Sequence, residues 1–549
     1  MAPSKEGTIE GTPPAPQVAE RGIRHGLPHG LALLLGTSRQ IWLRPLDWSI
    51  RVFGLRYGWI RALFEYCPPA VLAMAGRMRA ERAAWRAARR VPGYHRYLGE
   101  RGVDVGSLVP AAIVDRLPET DKRSYIDRYS LVERCLDGRI PFRGTTIDES
   151  SGSTGTPYNW IRSERERHHA HRMISFFGRY CFGPEPLVII NGFSMGAWAT
   201  GINMSIALNE NGVVKSTGPD IGKILSTLRF LGPAYKFLIA GYPPFVKHLL
   251  DEGERDGLDW SEFRIDSLVG GEGMTEELRD ALLERFDNVY SGYGATDIEI
   301  GMAGESAASV ALRRIARARP EVRRALFGDD PRLPMVFQYN PLFHYLEVNA
   351  QGEVLCTISR LDVLAPRVRY NVHDGGGLLT YRQADAVLHR FGLDLRTLGL
   401  ERDTWGPRGQ LRWESPIKLP FLFINGRSDA TISVMGANLY PEDFETIVYR
   451  HRELSSRIHS FCLSVGADAG GTARPQVALE LDRAEPDGSE WRLDAERLIQ
   501  TELRALNRDY ATAVDEFPAA MVPVFEWCER GTGPFRDDEH RVKPRRLVR

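Results

Sequence analysis

The chain has 549 residues, which is enough for two or three domains with a large core. Its 71 basic and 71 acidic residues leave a formal net charge of +0, which argues against nucleic acid or an anionic surface as a global partner. The six cysteines are widely spaced and include no Cys-x2-Cys pair, so a zinc site or a disulfide framework is disfavoured. This cysteine usage fits a reducing compartment, and we expect a cytoplasmic protein.

The N-terminal part of the sequence predicts helices and no membrane span. Residues 1–20 mix prolines with charges and are expected to be disordered. Residues 21–115 are expected to form a helical extension, in which Arg77–Val91 shows helical periodicity and ends before Pro92. The apolar stretch Leu31–Leu35 and the tryptophans after it are interrupted by arginines and are shorter than the roughly 18 residues of a span. We favour packing on the main body here over a membrane-surface helix.

From about residue 116 the pattern changes to short apolar runs that alternate with helices. Four of these runs lead into glycine, as buried strands that end in tight turns do: Leu187–Ile190, Phe237–Ala240, Leu268–Val269 and Val289–Tyr290. Val354–Ile358 and Arg367–Tyr370 read as further strands. Residues 116–426 are therefore expected to form a large α/β domain with its ligand site at the carboxyl ends of the strands.

Residues 427–549 read as a smaller mixed domain. Its predicted elements are a strand at Thr431–Val434, a helix at Pro441–Arg450, a strand at Gln476–Leu481 and a helix at Arg492–Leu506. The expected fold class is thus α/β, with an α+β arrangement in the small C-terminal domain.

One stretch is suited to binding phosphate. Residues 148–157 read Asp-Glu-Ser-Ser-Gly-Ser-Thr-Gly-Thr-Pro, in which glycines let backbone N–H groups turn inward and hydroxyls add donors. The pattern differs from a Walker loop, since Gly-x4-Gly-Lys-Ser/Thr is absent from it. A flexible surface loop remains open as an interpretation of this stretch alone.

Four further polar turns follow the predicted phosphate-binding stretch in this order: Gly270-Gly271-Glu272-Gly273, Ser291-Gly292-Tyr293-Gly294-Ala295-Thr296-Asp297, Arg369-Tyr370-Asn371-Val372-His373-Asp374 and Asn425-Gly426-Arg427-Ser428-Asp429. The second combines an aromatic ring for stacking a base with a hydroxyl and a carboxylate suited to a phosphate-bound magnesium ion. The third ends a predicted strand with a carboxylate that could accept from ribose hydroxyls.

Taken together and in this order, these stretches resemble the adenylate-forming superfamily, which includes acyl-CoA synthetases, nonribosomal peptide adenylation domains and luciferases. Within it the chain looks most like the phenylacetate–CoA ligase-like branch, from about Arg86 to the C-terminus. Arg89-Arg90-Val91-Pro92-Gly93-Tyr94 and Leu117-Pro118-Glu119-Thr120-Asp121-Lys122 also resemble that branch.

The resemblance assigns roles by position. It implies ATP-phosphate contacts from Ser151, Ser153, Thr154 and Gly155, and a nucleotide pocket lined by Glu272, Tyr293, Gly294 and Thr296. It implies ribose binding by Asp374 and Arg427, a magnesium ligand at Asp297 where the family usually has glutamate, and a hinge at Asp429. The family's C-terminal catalytic lysine matches Lys543, although Val542 stands in place of the usual glycine and Pro544 follows. A solvated basic tail is the alternative for that stretch.

The implied activity is ATP- and Mg²⁺-dependent formation of an acyl-adenylate with release of pyrophosphate, aided by Thr296 and Lys543, followed by transfer to a thiol such as CoA. Only the resemblance to the phenylacetate–CoA ligase-like branch suggests that the acid is aromatic. Acceptors left open are an amine and a free-standing carrier protein. No nucleic-acid partner and no transmembrane segment are expected.

Two other functions are kept open. Gly192-Phe193-Ser194-Met195-Gly196 satisfies Gly-x-Ser-x-Gly after a predicted strand, which would make Ser194 the nucleophile of an α/β-hydrolase. A relative that binds nucleotide without catalysis is the second, since Asp297 and the residues around Lys543 depart from the family pattern. His168, His169, His171 and His344 are interpreted as a solvated helix face or as substrate contacts. Residues 307–334, which carry many arginines, are interpreted as a surface helix pair, as a cover for the site or as a binding site for an anionic acceptor.

Overall fold

The computed structural model describes residues 43–50, 52, 56–150, 158–196, 199–330, 332–398, 416–427, 432–434, 437–467, 473–483, 489–516, 518–536 and 546–547. The predicted tail at 1–20, the strand residue Thr431 and the predicted site residues Ser151, Ser153, Thr154, Gly155, Asp429 and Lys543 lie outside these ranges. Arg427 is described for its backbone only.

Eighteen helices occur in the described residues: α1 (residues 43–50), α2 (Tyr57–Tyr66), α3 (Pro69–Arg90), α4 (Pro92–Glu100), α5 (Glu164–Phe182), α6 (Ala199–Leu208), α7 (Ile221–Leu231), α8 (Pro243–Arg255), α9 (Glu276–Leu283), α10 (Ala307–Ala318), α11 (Pro320–Phe327), α12 (Tyr381–Arg390), α13 (Leu395–Leu398), α14 (Pro441–Arg450), α15 (Arg452–Ser455), α16 (Glu490–Leu506), α17 (Arg508–Glu516) and α18 (Pro518–Met521).

The strands of the same residues are β1 (Thr145–Glu149), β2 (Asn159–Ser163), β3 (Leu187–Asn191), β4 (Gly212–Ser216), β5 (Lys236–Gly241), β6 (Arg264–Gly270), β7 (Asn288–Ala295), β8 (Glu299–Gly304), β9 (Met335–Tyr339), β10 (His344–Val348), β11 (Glu353–Ile358), β12 (Tyr370–Leu379), β13 (Phe421–Arg427), β14 (Ile432–Val434), β15 (Ala437–Leu439), β16 (Ile458–Ala467), β17 (Ala473–Leu481) and β18 (Val524–Cys528).

Eleven strands form the central sheet, in the order β10-β11-β12-β13-β9-β8-β7-β6-β5-β3-β4. Strands β3 to β7 are parallel to their neighbours, and the pairing becomes antiparallel from β7 to β8 onward. The parallel strands β3, β5, β6 and β7 are mostly buried, which explains their continuous apolar runs, whereas the edge strand β4 is largely exposed. Every residue of Phe237–Ala240 has 0% exposure. The predicted α/β class is confirmed.

All of the predicted strands except one match an observed strand to within a few residues. The exception is Arg367–Tyr370, where the strand begins at Tyr370 and continues to Leu379. The prediction was wrong because the backbone of Arg369 has φ 45° and cannot be part of a strand. As a result, Asp374 lies inside β12 rather than after its end.

The chain from Ile432 onward builds a second hydrophobic core. A three-stranded sheet, β16-β17-β18, packs its apolar side against α14 and α16, and the buried residues include Ile447, Leu463, Leu479 and Ile499. The predicted helix Pro441–Arg450 is confirmed with the same bounds.

A group of buried charges joins the sheet to the helices on one side of it. The Arg279 side chain in α9 is 0% exposed and pairs with Glu276 at 3.0 Å and Glu305 at 2.6 Å. Its guanidinium also donates to the carbonyl of Val289 in β7 at 2.6 Å. Arg313 of α10 contacts Glu276 at 2.7 Å and is 3% exposed, so the interpretation of residues 307–334 as a plain surface helix pair was wrong.

We predict that Arg279→Met destabilises the protein by about 3–5 kcal/mol, because it leaves the carboxylates of Glu276 and Glu305 buried with less compensation. Arg264→Met is the matched control: Arg264 pairs with Glu185 on the surface, and its loss should cost about 1 kcal/mol or less. Urea unfolding followed by circular dichroism measures both values. Equal costs for the two variants would contradict the role given to Arg279.

Candidate active site

A cavity of about 890 Å³ lies at the carboxyl ends of β6 and β7 and reaches α14 and the end of the chain. Cavities at this position of a parallel sheet are the usual ligand sites of α/β proteins. Six of the predicted site residues line it together: Glu272, Tyr293, Gly294, Thr296, Asp297 and Asp374. The sequence motifs, up to 102 residues apart along the chain, thus meet in one place.

The turn between β7 and β8 carries the Tyr293–Asp297 part of the cavity. A Cβ at Gly294 would lie 2.6 Å from the carbonyl oxygen of Glu299, so a side chain there would push the two strands apart. The ring of Tyr293 lies 5.5 Å from that of Phe337, and its hydroxyl donates to a carboxylate oxygen of Asp374 at 2.5 Å. The result is an aromatic surface with a carboxylate beside it, on the wall of the cavity.

Asp374 is turned into the cavity by an irregular piece of β12. His373, the residue before it, has a left-handed φ of 63°, and its N–H donates to the Asn371 side chain at 2.7 Å. Across the sheet, Asp374 is the register partner of Arg427 in β13. The two residues predicted to bind ribose are therefore neighbours, although the side chain of Arg427 lies outside the described residues.

The carboxylate of Asp297 lies beside a cation that the sequence reasoning did not assign to the site. Lys122 places its Nζ 3.2 Å from Oδ2 of Asp297, and the Tyr370 hydroxyl donates to the same oxygen at 3.0 Å. Lys122 also lines the cavity. In the sequence, Lys122 ends the stretch Leu117–Lys122, which resembles the family but is not one of the glycine-rich motifs.

A magnesium ion fits this part of the cavity. Nucleotide-bound Mg²⁺ typically takes one or two protein carboxylates and completes its shell with phosphate oxygens and water. Asp297 offers one carboxylate here, 8% exposed and facing the cavity, with the Thr296 turn next to it. Its pairing with Lys122 means that the ion and the lysine would share this acidic group.

Residues on both sides of the predicted phosphate-binding stretch line the cavity. Glu149, Ser150 and Tyr158 line it on either side of residues 151–157, and the N–H of Ser150 donates to the carbonyl of Tyr158 at 2.9 Å. Ser151, Ser153, Thr154 and Gly155 themselves lie outside the described residues, so their predicted contacts remain a prediction.

The other end of the cavity is apolar. Helices α5 and α6 and the loop before α6 contribute only uncharged side chains to its wall: Ile174, Phe177, Gly178, Cys181, Phe182, Phe193, Ala199, Thr200 and Met204. Gly304 of β8 faces Phe177, and a Cβ built on it would lie 3.5 Å from that ring. This wall suits an apolar group of a ligand, held next to the polar end of the cavity that Tyr293, Asp297 and Asp374 line.

The C-terminal core closes the cavity with α14 and the end of the chain. Glu442 and Glu445 of α14 line it, and burial raises the pKa of Glu442 to about 7 and that of Glu445 to about 8. Glu272 across the cavity raises the pKa of Glu445 further, while Arg546 lowers it. Arg546 itself lines the cavity and stacks on Phe461 at 4.2 Å. Lys543 and Asp429 lie outside the described residues, but Arg546 brings the chain end to the site.

Charged contacts join the two cores, at the wall of the cavity and outside it. Arg255 of α8 pairs with Asp482 at 3.2 Å, and Arg450 of α14, at the wall, lies 3.9 Å from Glu277 of α9. Such partly exposed pairs are individually weak, so they add little to the free energy that holds the cores together.

The remaining candidates have structural partners. His169 bonds to Asp362 at 2.9 Å, His171 to Asn203 at 2.8 Å and His344 to Glu299 at 2.9 Å. None of these histidines, nor His168, is among the described residues that line the large cavity. Ser194 pairs with the Tyr242 hydroxyl, where a nucleophile elbow would place a histidine.

Comparisons with known proteins identify the fold. No protein-family model and no curated protein sequence matches the chain. Solved structures do match: 2-hydroxyisobutyryl-CoA ligase in the postadenylation state with R3-HIB-AMP has a TM-score of 0.63 at 12% identity, over 88% of this chain and 91% of that one. The same ligase gives 0.51 in an open conformation with 2-HIB-AMP and CoA, over 88% and 93%, and 0.50 in the thioesterification state, over 88% and 91%, both at 12% identity. The chain therefore has the two-domain fold of AMP-forming acyl-CoA ligases.

Because burial raises the pKa values of carboxyl groups on α14, we predict that closure of the two cores depends on pH. In the closed arrangement the pKa of Glu445 is about 8, raised from an ordinary value of 4.5. The closed form therefore binds more protons than an open form, and its relative stability is greatest below the ordinary pKa and falls as pH rises from about 4.5 to about 8. Hydrogen exchange of α9 and α14, corrected for the intrinsic pH effect, should show protection decreasing through this window.

Glu445→Gln should reduce that pH dependence, most of all above about pH 7, because a neutral amide replaces the buried acid. Glu442, whose pKa is raised to about 7, should supply part of the dependence that remains. Glu453→Gln, on the exposed surface of α15, is the control and should behave like the unmodified protein. A Glu445→Gln variant with an unchanged pH profile would show that another group controls closure.

Proposed function

We propose that this protein is an AMP-forming acid ligase, which activates a carboxylic acid with ATP and passes the acyl group to a thiol such as CoA. The observation that carries the proposal is the single cavity that joins the Tyr293–Asp297 turn and Asp374 at one end to an apolar wall at the other. In the first step a carboxylate oxygen bonds to the α-phosphorus while the bond to the pyrophosphate group breaks. In the second step the sulfur bonds to the carbonyl carbon and AMP leaves.

The nucleoside is assigned to the wall formed by Tyr293 and Asp374. The ring of Tyr293 would stack on adenine, with Gly294 and Glu272 beside it, and Asp374 would accept hydrogen bonds from the ribose hydroxyls. Because the Tyr293 hydroxyl already donates to Asp374 at 2.5 Å, the carboxylate is held in place before the nucleotide binds. The side chain of Arg427 is proposed as the second ribose contact.

The phosphates are assigned to the space between Lys122, Thr296, Asp297 and the stretch that contains Ser151, Ser153, Thr154 and Gly155. Bound Mg²⁺ would neutralise charge on the phosphate oxygens, with Asp297 as its protein ligand. Lys122 adds a fixed positive charge on the same side. This charge would stabilise the transition state, in which negative charge accumulates on the oxygens around the α-phosphorus.

Lys543 is proposed as the catalytic cation that contacts the carboxylate and the α-phosphate, and Asp429 as the hinge between the domains. The position of Arg546 at the cavity supports the first assignment, since it follows Lys543 by three residues. The higher similarity to the postadenylation state than to the thioesterification state of the same ligase supports assigning the present arrangement to the first half of the reaction. A closed cavity would also protect an acyl-adenylate from water.

The acid is proposed to carry an apolar, aromatic side chain, in keeping with the phenylacetate–CoA ligase-like branch. The uncharged wall from α5 and α6 supports an apolar group, because a charged or strongly polar one would lose its hydration there without a partner. Thiol transfer is proposed over transfer to an amine or to a free-standing carrier protein on the same branch resemblance. Incubation with ATP, an aromatic acid and either CoA or an amine, followed by mass spectrometry of the products, separates these acceptors.

We predict that Asp374→Ala raises KM for ATP by about 10- to 100-fold, since a charged hydrogen bond to ribose contributes about 1.5–3 kcal/mol. The KM for the acid should change little, because Asp374 lies at the nucleotide end. Initial-rate kinetics of AMP release measure both constants. Glu321→Ala, an exposed carboxylate on α11, is the matched control and should leave both unchanged. A shift in the acid KM alone would place Asp374 at the wrong end of the cavity.

We predict that Gly304→Ala narrows the acid end of the cavity and lowers kcat/KM for the largest accepted acids by about tenfold, since one extra methyl group in a packed site costs about 1–3 kcal/mol. The new Cβ contacts Phe177 at an ordinary distance, so the fold should tolerate it. Kinetics over a series of acids of increasing size provide the test. Gly99→Ala, where a Cβ meets nothing within 4 Å, should keep the size profile of the unmodified protein.

A further inference from the structure

The three helices at the start of the described chain share one apolar, outward-facing surface. On α1 and just after it, Trp48 is 59% exposed and Val52 49% exposed. On α2, Trp59 is 53% exposed and Tyr66 is 76% exposed, seven residues apart and thus on one side of the helix. The first turns of α3 add two more exposed residues. We refer to this surface as the tryptophan face; its members are Trp48, Val52, Trp59, Tyr66, Val71 and Met74.

The members of the tryptophan face lie on the same side of the molecule. The opposite sides of α1, α2 and α3 all pack on a single hydrophobic cluster, to which Ile50, Ile60, Phe64 and Leu72 belong with residues of the large domain such as Phe176. Because the three helices bury their inner sides against one cluster, their outer sides point away from it together.

The same segment carries a strong local excess of positive charge in a chain that is neutral overall. Residues 21–66 contain seven arginines and only two acidic residues, Asp47 and Glu65. Both acidic groups are engaged inside the protein: Asp47 pairs with Arg79 and Arg82 of α3, and Glu65 lies 3.6 Å from Arg61. Arg44 on α1 and Arg56 before α2 are exposed next to the apolar residues.

We propose that the tryptophan face docks the protein on the surface of an anionic lipid membrane. Tryptophan and tyrosine favour the boundary between water and hydrocarbon because their rings have an apolar body and a polar edge. Arginines next to them add attraction to anionic headgroups. The mode would be peripheral, since no helix in the described part of the chain is long and apolar enough to cross a membrane.

A second copy of the chain is a less suitable occupant. Pairing two tryptophan faces would bring the exposed Arg44 and Arg56 of both copies together, and like charges across an interface oppose association. An anionic lipid surface satisfies the apolar residues and the arginines simultaneously. The members of the tryptophan face do not line the cavity, and this proposal does not depend on the acid-ligase assignment.

The test is co-sedimentation of the full chain with vesicles of phosphatidylcholine alone and of phosphatidylcholine mixed with phosphatidylglycerol. The expected result is sedimentation with the anionic vesicles that weakens as salt is added, and at least tenfold weaker binding to the neutral ones. The double variant Trp48→Ala and Trp59→Ala should lower the partition coefficient about tenfold or more, because each ring loses its burial in the interface. Arg44→Gln and Arg56→Gln should each lower it about fivefold.

Phe230→Ala is the matched control: Phe230 is 87% exposed on α7, outside the tryptophan face, and its loss should not change binding. Circular dichroism and thermal melts of each variant establish that it is folded. The proposal is overturned by absence of sedimentation at low salt, by equal losses in Phe230→Ala and the tryptophan double variant, or by equal binding to neutral vesicles. Light scattering that shows a dimer broken by the tryptophan substitutions would also overturn it, and would assign the face to self-association.

Discussion

The guanidinium of Arg279 lies at the point where the sheet, the helices and the C-terminal core are joined. It is wholly buried and pairs with Glu276 in its own helix and with Glu305 after β8. Its bond to the carbonyl of Val289 fixes the start of β7, and Glu305 also accepts from the N–H of Ser291 at 2.7 Å. The residues from Tyr293 to Asp297 therefore follow a part of β7 that is held in place. The helix that carries Arg279, α9, is also the helix on which α14 packs. The site and the contact between the two cores share one electrostatic anchor.

This anchor fixes one part of the cavity, and the C-terminal core forms the part opposite it. In the fixed part, Tyr293 and Asp374 are held by strand pairing and by the hydrogen bond between them, while Asp297 accepts from Tyr370 and pairs with Lys122. The opposite part is made by α14 and Arg546, and the carboxyl groups of Glu442 and Glu445 are buried there with raised pKa values. Burying neutral acids costs much less than burying charged ones, so the interface can form without strong ion pairs. The proposed function requires this contact to exclude water in the first step and to admit a thiol in the second.

Much of the fold could be predicted from the sequence because buried parallel strands leave continuous apolar runs. Leu187–Ile190 and Phe237–Ala240 were found in this way, and the helix Pro441–Arg450 from its periodicity. The strand predicted before Asp374 was wrong, since nothing in the residue pattern of this segment indicates the left-handed backbones of Arg369 and His373.

The site was predictable to the extent that its residues belong to glycine-rich turns. Tyr293, Asp297 and Asp374 meet in the cavity as the motifs implied. The pairing of Lys122 with Asp297 and the arrival of Arg546 at the cavity depend on contacts between segments more than 80 residues apart, for which a single sequence gives no signal. Arg313 is a similar case at shorter range, because its burial depends on Glu276, which lies 37 residues away in the chain.

Acid-dependent exchange of pyrophosphate into ATP tests the central claim most directly, because it reports the first chemical step without requiring the acceptor. With Mg²⁺ present, we expect exchange with aromatic or other apolar acids, much weaker exchange with short polar acids, and none without an acid. Exchange should be lost in Lys543→Ala, while ATP binding is retained. A protein that binds no ATP, or that binds ATP but supports no exchange with any acid of an apolar panel, would contradict the account.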